Sequence, residues 1–422
     1  MNRNIRKRNG SAKIVNILSY LLALIIIFNC NTVYVTSTNF GFISSKLPYL
    51  LIICTVIYVI YQTRLNGIKA DIALLIGVLL AMYLGIFVVF NSILAAKITG
   101  ISIVINFITV FMLVWVERHS RIPKILQAYA NIMVIIATVS IVFWIFGSYL
   151  HLIAPNKMVS IAWGDPSRMI PSYYNIYFET QYFNFTIRNS AIFVEAPMAA
   201  LNFLLALSIL VLFQDKTKFN KIKVIILIIA GCLTISTTIY IGLMLLFIFK
   251  LFSNKNANRS VEAIKYVFSI VAVPTVFYII SQLFSSKLMT NSGISRKLDY
   301  LNAFSAWKNN PIFGMGINAG LNEGVNVING IKISHYGFSS SFSKLLGDGG
   351  LFIILPVVLA IVISIRKSMM YKDRSRMFFT IILVYLFMTI IFAQNYLMYY
   401  LFILIALWTP YRFDHFSKKI QI

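Results

Sequence analysis

Apolar runs of close to twenty residues alternate with short polar stretches along almost the whole chain. That spacing predicts membrane-crossing helices, because a helix needs about 20 residues to cross the hydrocarbon core. Spans are expected at 14–30, 46–62, 70–90, 98–116, 125–148, 191–213, 266–284, 344–365, 377–393 and 396–410. Between 224 and 252 the run fits either one long tilted helix or two short ones, 224–236 and 238–252, broken at "TISTT". Hydroxyl side chains there compete for backbone hydrogen bonds. Charge separates the two readings. A broken run gives twelve spans, places both termini in the cytoplasm and puts most of the 37 Lys and Arg residues on that side, as the positive-inside bias requires. An unbroken one would put Lys255, Arg259, Lys265 and the "RKSMMYKDRSR" cluster outside. The expected fold is therefore all-α: a single polytopic membrane domain over 1–422 with about 12 transmembrane helices and two long external loops, 148–190 and 285–343. The two short hairpin arms should pack in protein rather than lipid.

Composition agrees. With 59% hydrophobic and 12% charged residues in 422, no single core could hide the apolar surface of this chain from water. The formal charge of +25 lies in short clusters between apolar runs, a topology signal rather than a nucleic-acid footprint. Cys30, Cys54 and Cys232 fall inside apolar segments at no metal-ligand spacing, so neither a disulfide framework nor a metal site is expected. The basic start followed by an apolar run shows no small-residue cleavage site after Cys30, and a retained first helix is expected. There is no Walker lysine in a Gly-rich loop and no dinucleotide fingerprint, and no cofactor is expected. Chemistry is therefore sought in the two external loops.

In the first loop, seven of the thirteen residues from 173 to 185 are aromatic, including Tyr173, Tyr174 and Tyr177. Such a run reads as an interfacial belt or as a platform on which sugar rings stack. Arg168 is a further substrate-binding candidate. Arg188 and Glu195 close the loop, and a carboxylate expected just inside the sixth span faces a cavity or a partner, here either the site or a structural ion pair with Arg188. The second loop opens on Arg296, Lys297 and Asp299, on a short helix whose Leu298, Leu301 and Phe304 are expected to share a face resting on the membrane. Arg296 would snorkel to headgroups or bind a lipid diphosphate. "NNPIFGMGINAG" gives a Pro and Gly turn, His335 follows, and Asp348 in "LLGDGG" repeats the Glu195 situation at a span mouth. Glu195, Asp348 and His335 are the candidate acid/base groups, and Arg188 and Arg296 the candidate diphosphate ligands.

Four stretches carry a resemblance. "RNSAIFVEAPMAALNF", "LTISTT", "SRKLDYLNAFSAWKNNPIFGMG" and "SFSKLLGDGGLF", between 188 and 352, resemble in order the motifs of the Wzy-type O-antigen and capsular polysaccharide polymerases and the related O-antigen ligases. The resemblance implies a metal-independent membrane glycosyltransferase in a bacterial cytoplasmic membrane. It would move a growing glycan from polyprenyl diphosphate to a lipid-linked repeat unit, with chain-length regulator and flippase proteins as further candidate partners. In the ligases a histidine begins the stretch that ends in the acidic residue; Ser339 holds that place here and His335 comes four residues earlier, which favours polymerase over ligase. A lipid-linked oligosaccharide flippase is the alternative of a different class, but long external loops and few mid-span charges argue against it.

Overall fold

The computed structural model describes residues 2–409 apart from 91–93, 164, 184–185, 215–216, 254–290, 318–323, 329–330, 336–337 and 394. The span expected at 266–284 lies outside the described residues. The chain is mostly helical. Its helices are α1 (Asn2–Asn29), α2 (Val33–Thr36), α3 (Gly41–Asn66), α4 (Ile72–Phe90), α5 (Leu94–Glu117), α6 (Lys124–Phe143, continued by a π-helical turn to Tyr149), α7 (Ala196–Phe213), α8 (Lys218–Cys232), α9 (Thr237–Ser253), α10 (Asn291–Asn309), α11 (Ser341–Met370), α12 (Arg374–Thr389) and α13 (Tyr396–Leu407). Among the described residues, seven helices are long and apolar enough to cross a membrane, those within α1, α3, α4, α5, α6, α7 and α11. This is a polytopic membrane protein.

α7 is apolar all round because protein surrounds it: 14 of its 18 residues are buried, against α6, α8, α9 and α12. Gly242 of α9 lets the two helices approach, since a Cβ there would sit 2.1 Å from the Leu204 side chain. Of the short helices, the two hairpin arms are not packed wholly in protein, contrary to expectation: Phe219, Ile222, Ile225 and Ile229 of α8 and Phe247 and Phe252 of α9 are exposed, because neighbouring helices cover only one side of each arm, whereas α13 is enclosed. At 1.5 Å per residue, α13 covers roughly 18 Å, too little for lipid on its own. Tyr396, Leu397, Tyr400, Leu401 and Leu404 of α13 are accordingly buried.

Five helix ends or breaks meet at one face, called here the hairpin face, and their free backbone groups are satisfied by one another. Val33 N–H donates to Ile192 O (2.9 Å) and Val194 N–H to Asn31 O (3.1 Å), joining the end of α1 to the approach to α7. Asn189 N–H donates to Leu233 O (3.0 Å), joining that approach to the break between α8 and α9. The extended residues after α12 receive Asn31 Nδ2 at Ile391 O (3.1 Å) and Ser341 N–H at Ile390 O (3.0 Å). Asn29 Oδ1 then accepts from Tyr396 N–H (2.8 Å) at the start of α13. The break at "TISTT" is real: α8 ends at Cys232, Ile235 has φ 48°, and α9 starts at Thr237. The expected span at 191–213 is shorter than anticipated, because residues 191–195 are spent on this backbone stitching and α7 begins only at Ala196.

The loops carry strands that the all-α expectation did not contain. β1 (Lys157–Trp163), β2 (Asp165–Tyr173) and β3 (Tyr177–Phe178) form an antiparallel sheet, β4 (Tyr182–Phe183) pairs with β5 (Thr186–Ile187), and β6 (Gly324–Ile328) with β7 (Ile331–His335). The first sheet has its own core of Val33, Val159, Ile161, Ile170, Phe178 and Val194, and Asn39 Oδ1 accepts from Ser160 N–H (3.0 Å). Residues 151–190 are therefore a folded cap on the helices.

In the second loop, α10 buries Leu298, Asp299, Ala303 and Ala306, while Leu301 and Phe304 are exposed. The shared apolar face expected of Leu298, Leu301 and Phe304 thus divides: the small alanines allow α10 to pack closely on α11, and Leu298 turns inward with them. The Pro and Gly turn after α10 then locks into the middle of α11. Met315 N–H donates to Gly347 O and Gly316 N–H to Asp348 O (both 3.0 Å), and Leu351 and Phe352 return bonds to Pro311 O and Ile312 O (3.0 and 2.9 Å). Gly350, at φ 55°, kinks α11 to expose these groups.

Gly314 sits at φ +65°, and a Cβ there would lie 2.7 Å from three backbone atoms of Gly347–Gly349. Left-handed backbone alone costs an alanine roughly 1 kcal/mol, and backbone atoms cannot step aside. Gly314→Ala should lose more than about 2 kcal/mol in a thermal or denaturant melt of the purified protein. Gly85→Ala, where nothing lies within 4 Å, should be neutral or gain up to about 1 kcal/mol from helix propensity.

Candidate functional site

Arg188 follows β5 and reaches across the break between α8 and α9. Its Nε donates to Thr234 O (2.9 Å), Nη2 to Ile235 O (3.3 Å) and Nη1 to Gln181 Oε1 (3.1 Å). Gln181 Oε1 also accepts from Ala196 N–H (3.1 Å), the first amide of α7. One glutamine thus ties the arginine to a helix N-terminus, where the backbone dipole favours anions. A guanidinium carries five N–H donors. Three are spent on these carbonyls, leaving two without an acceptor among the described residues.

Two further sequence-predicted residues act on Arg188. Burial lowers its pKa from the usual arginine value, the charge of Arg296 adds to the lowering, and the Glu195 carboxylate opposes it. Arg296, on the first half of α10, is half-buried and also within electrostatic reach of Tyr385 on α12. The Tyr385 hydroxyl donates to Thr238 O (3.2 Å) at the start of α9. Glu195 stands at the N-cap of α7 in extended conformation (φ −145°), half-buried, one residue outside the helix rather than inside the span. Two cations and one carboxylate thus meet at the broken hairpin, on a partly desolvated floor. A site with that balance carries a net charge of +1 and is completed by an anion.

Asp348 is elsewhere. It is buried in α11, and Lys344 pairs with it at 2.9 Å, one turn away. α10 and α11 run alongside in the same direction: Asp299 Oδ2 accepts from Ser339 N–H (2.7 Å), and twelve residues later Pro311 and Ile312 meet Leu351 and Phe352. At 1.5 Å per residue this puts Asp348 roughly 15–20 Å from Arg296. His335 ends β7 opposite Gly324, and its side chain lies outside the described residues.

The aromatic run divides in two. Tyr173 and Tyr177 are buried and present no open face: Tyr173 Oη donates to Glu179 Oε1 (2.6 Å), and Tyr177 Oη is 3.0 Å from Ser148 Oγ, which itself donates to Glu179 (2.7 Å). Tyr174, at φ 52° in the turn between β2 and β3, is exposed and is the one of the three able to stack on a ligand. Arg168 Nη2 donates to Thr180 O, bracing the segment between β3 and β4 that carries Glu179 and Gln181. Sequence reasoning missed Glu179 and Gln181. The signal was an acid and an amide residue inside an aromatic run, polar groups that need partners when their neighbours are buried.

Two measurements check this geometry. Three acceptors reached by three different nitrogens cannot be served by one ammonium, so Arg188→Lys should destabilise the purified protein by about 1–3 kcal/mol in a thermal melt. Burial first, then the bond to Glu179 and its charge, raise the Tyr173 pKa above 10.0, and burial, with a smaller push from Glu179, raises that of Tyr177. The folded state then holds protons that the unfolded chain releases. The stability this contributes is complete below about pH 10 and falls as pH rises above it. Melting temperature against pH should decline less steeply in Tyr173→Phe than in the unaltered protein.

Comparison of the chain with protein-family models, with curated proteins and with solved structures finds no match.

Proposed function

We propose that the chain is a polysaccharide polymerase of a bacterial cytoplasmic membrane, with the hairpin face outward and both termini cytoplasmic. It would transfer a growing glycan from a polyprenyl-diphosphate donor to a lipid-linked oligosaccharide repeat unit. The observation that carries the reading is the convergence of Arg188, Arg296 and Glu195 on the break between α8 and α9. Three of the four stretches that resemble the Wzy-type polymerases supply these residues and the break, and they are far apart in sequence.

The chemistry follows from the charges. The acceptor hydroxyl oxygen forms the new bond to the anomeric carbon of the donor. The bond from that carbon to the diphosphate breaks, and its electron pair leaves on the phosphate oxygen. Arg188 and Arg296 hold that diphosphate and neutralise the developing charge. Glu195, beside them, takes the proton from the acceptor hydroxyl. Exposed Tyr174 offers a face for a sugar ring. Asp348 is too distant to share this step, and its pairing with Lys344 suits a role in the second substrate's position.

Cells deleted for the gene and complemented with the unaltered chain, Arg188→Ala or Arg296→Ala test the reading by surface-glycan length on a gel. Deletion and both variants, at unaltered protein level, should leave single repeat units on the carrier. Full-length chains retained on the carrier would mean a ligase, and repeat units trapped on the cytoplasmic leaflet a flippase.

A further inference from the structure

A groove of about 450 Å³ runs down the outside of the helices between α4, α5, α11 and α13, far from the arginines. Its walls are apolar, with Leu80, Phe107, Ala360 and Phe402 at mid-height. Its charged groups are at the two ends, Asp348 towards the hairpin face and Lys367 at the other. From Asp348 to Lys367 is nineteen residues of α11, roughly 28 Å of helix, close to the whole hydrocarbon thickness of about 30 Å. A phospholipid acyl chain belongs to one leaflet and would fill about half of it. A groove of this length is matched by one long isoprenoid chain.

The two ends differ. Lys367 Nζ is turned onto Ala406 O at 2.6 Å, at the C-terminus of α13, and so caps the groove rather than offering itself to a headgroup. At the other end Lys344, part-exposed beside Asp348, brings an ammonium to the mouth. Ile317, from the loop that follows the helix bearing Arg296, completes the lining there. The lipid that fits is therefore polar at the hairpin face, where Lys344 and Asp348 neutralise each other, and apolar through the bilayer.

We propose that this groove holds the isoprenoid chain of the acceptor, the second lipid-linked substrate, separately from the arginine pair that holds the donor diphosphate. The inference rests on the polymerase reading. A polymerase must seat two carrier lipids at once, with the far end of the acceptor's sugar chain at the donor's anomeric carbon. The roughly 15–20 Å from Arg296 to the groove mouth, by helix rise, is of the order that an acceptor of a few sugars has to bridge. The exposed Leu301 and Phe304 lie on α10 between the two sites.

The test uses the full chain in phosphatidylethanolamine nanodiscs and native mass spectrometry, with long-chain polyprenyl phosphate and farnesyl phosphate as probes. Two long-chain molecules should be retained per chain, one at the arginine pair and one in the groove, but only one farnesyl phosphate, whose chain is too short to hold in the groove. Ala360→Phe and Leu80→Phe, filling the groove from opposite walls, should each lower long-chain retention from two molecules to one. Equal retention of the two probes, or retention indifferent to both groove-filling variants, would overturn the groove assignment. The probe-length comparison decides this on the unaltered protein should either variant fail to fold. Retention of a single long-chain molecule by the unaltered protein would mean one lipid site and overturn the assignment to the acceptor. Glycan length in cells reports on the polymerase reading separately: a groove that binds in a chain whose deletion leaves polymer intact would stand without it.

Discussion

Irregular backbone at membrane depth has no water to satisfy it, and much of this structure follows from where its broken segments find partners. The end of α1, the approach to α7, the break between α8 and α9, the extended turn between α12 and α13 and the start of α11 all close on one another through backbone and asparagine bonds. An unmet N–H or C=O there would cost several kcal/mol, so the breaks are fixed relative to each other by mutual need. A junction of this kind costs helix and gains a rigid polar platform. The side chains presented on it include the two arginines and the glutamate.

Arg188 shows how the platform serves both stability and chemistry. Its three bonds to Thr234, Ile235 and Gln181 hold the break in shape, and the same bonds fix the guanidinium so that its remaining donors point from a set position. Burial and the nearby Arg296 make the bare site electrostatically costly, with Glu195 a partial offset. Binding an anion relieves that cost, and the same buried like charge therefore favours anionic ligands such as phosphates.

Much of the membrane architecture was legible in the sequence, because hydropathy acts over windows as long as a span and needs no knowledge of neighbours. The hairpin break was legible too, since "TISTT" removes the preference for continuous helix and the charges on either side demand a return. The "NNPIFGMG" and "LLGDGG" stretches looked like turns and mouths, but their reciprocal bonding was not readable: it depends on Gly314 meeting Gly347–Gly349 across more than thirty residues. The cap strands were illegible for a related reason. An aromatic run suits an interface as well as a sheet, and only the pairing of β2 with β3 and packing on Phe143 and Gly147 at the end of α6 decide that Tyr173 and Tyr177 turn inward. Arg188 lies within electrostatic reach of Arg296, whereas Asp348, grouped with them on charge alone, is buried in α11 beside Lys344.

The central claim is that Arg188 and Arg296 hold one diphosphate between them. A double-mutant cycle on the binding of farnesyl diphosphate, whose chain is too short for the groove, in nanodiscs tests it most directly, with unaltered protein, Arg188→Ala, Arg296→Ala and the double variant at one salt concentration. If both arginines grip the same group, each single variant should weaken binding at least tenfold and the double variant should lose clearly less than the product of the two. Losses that multiply as independent factors, or a single variant that binds as the unaltered chain does, would contradict it.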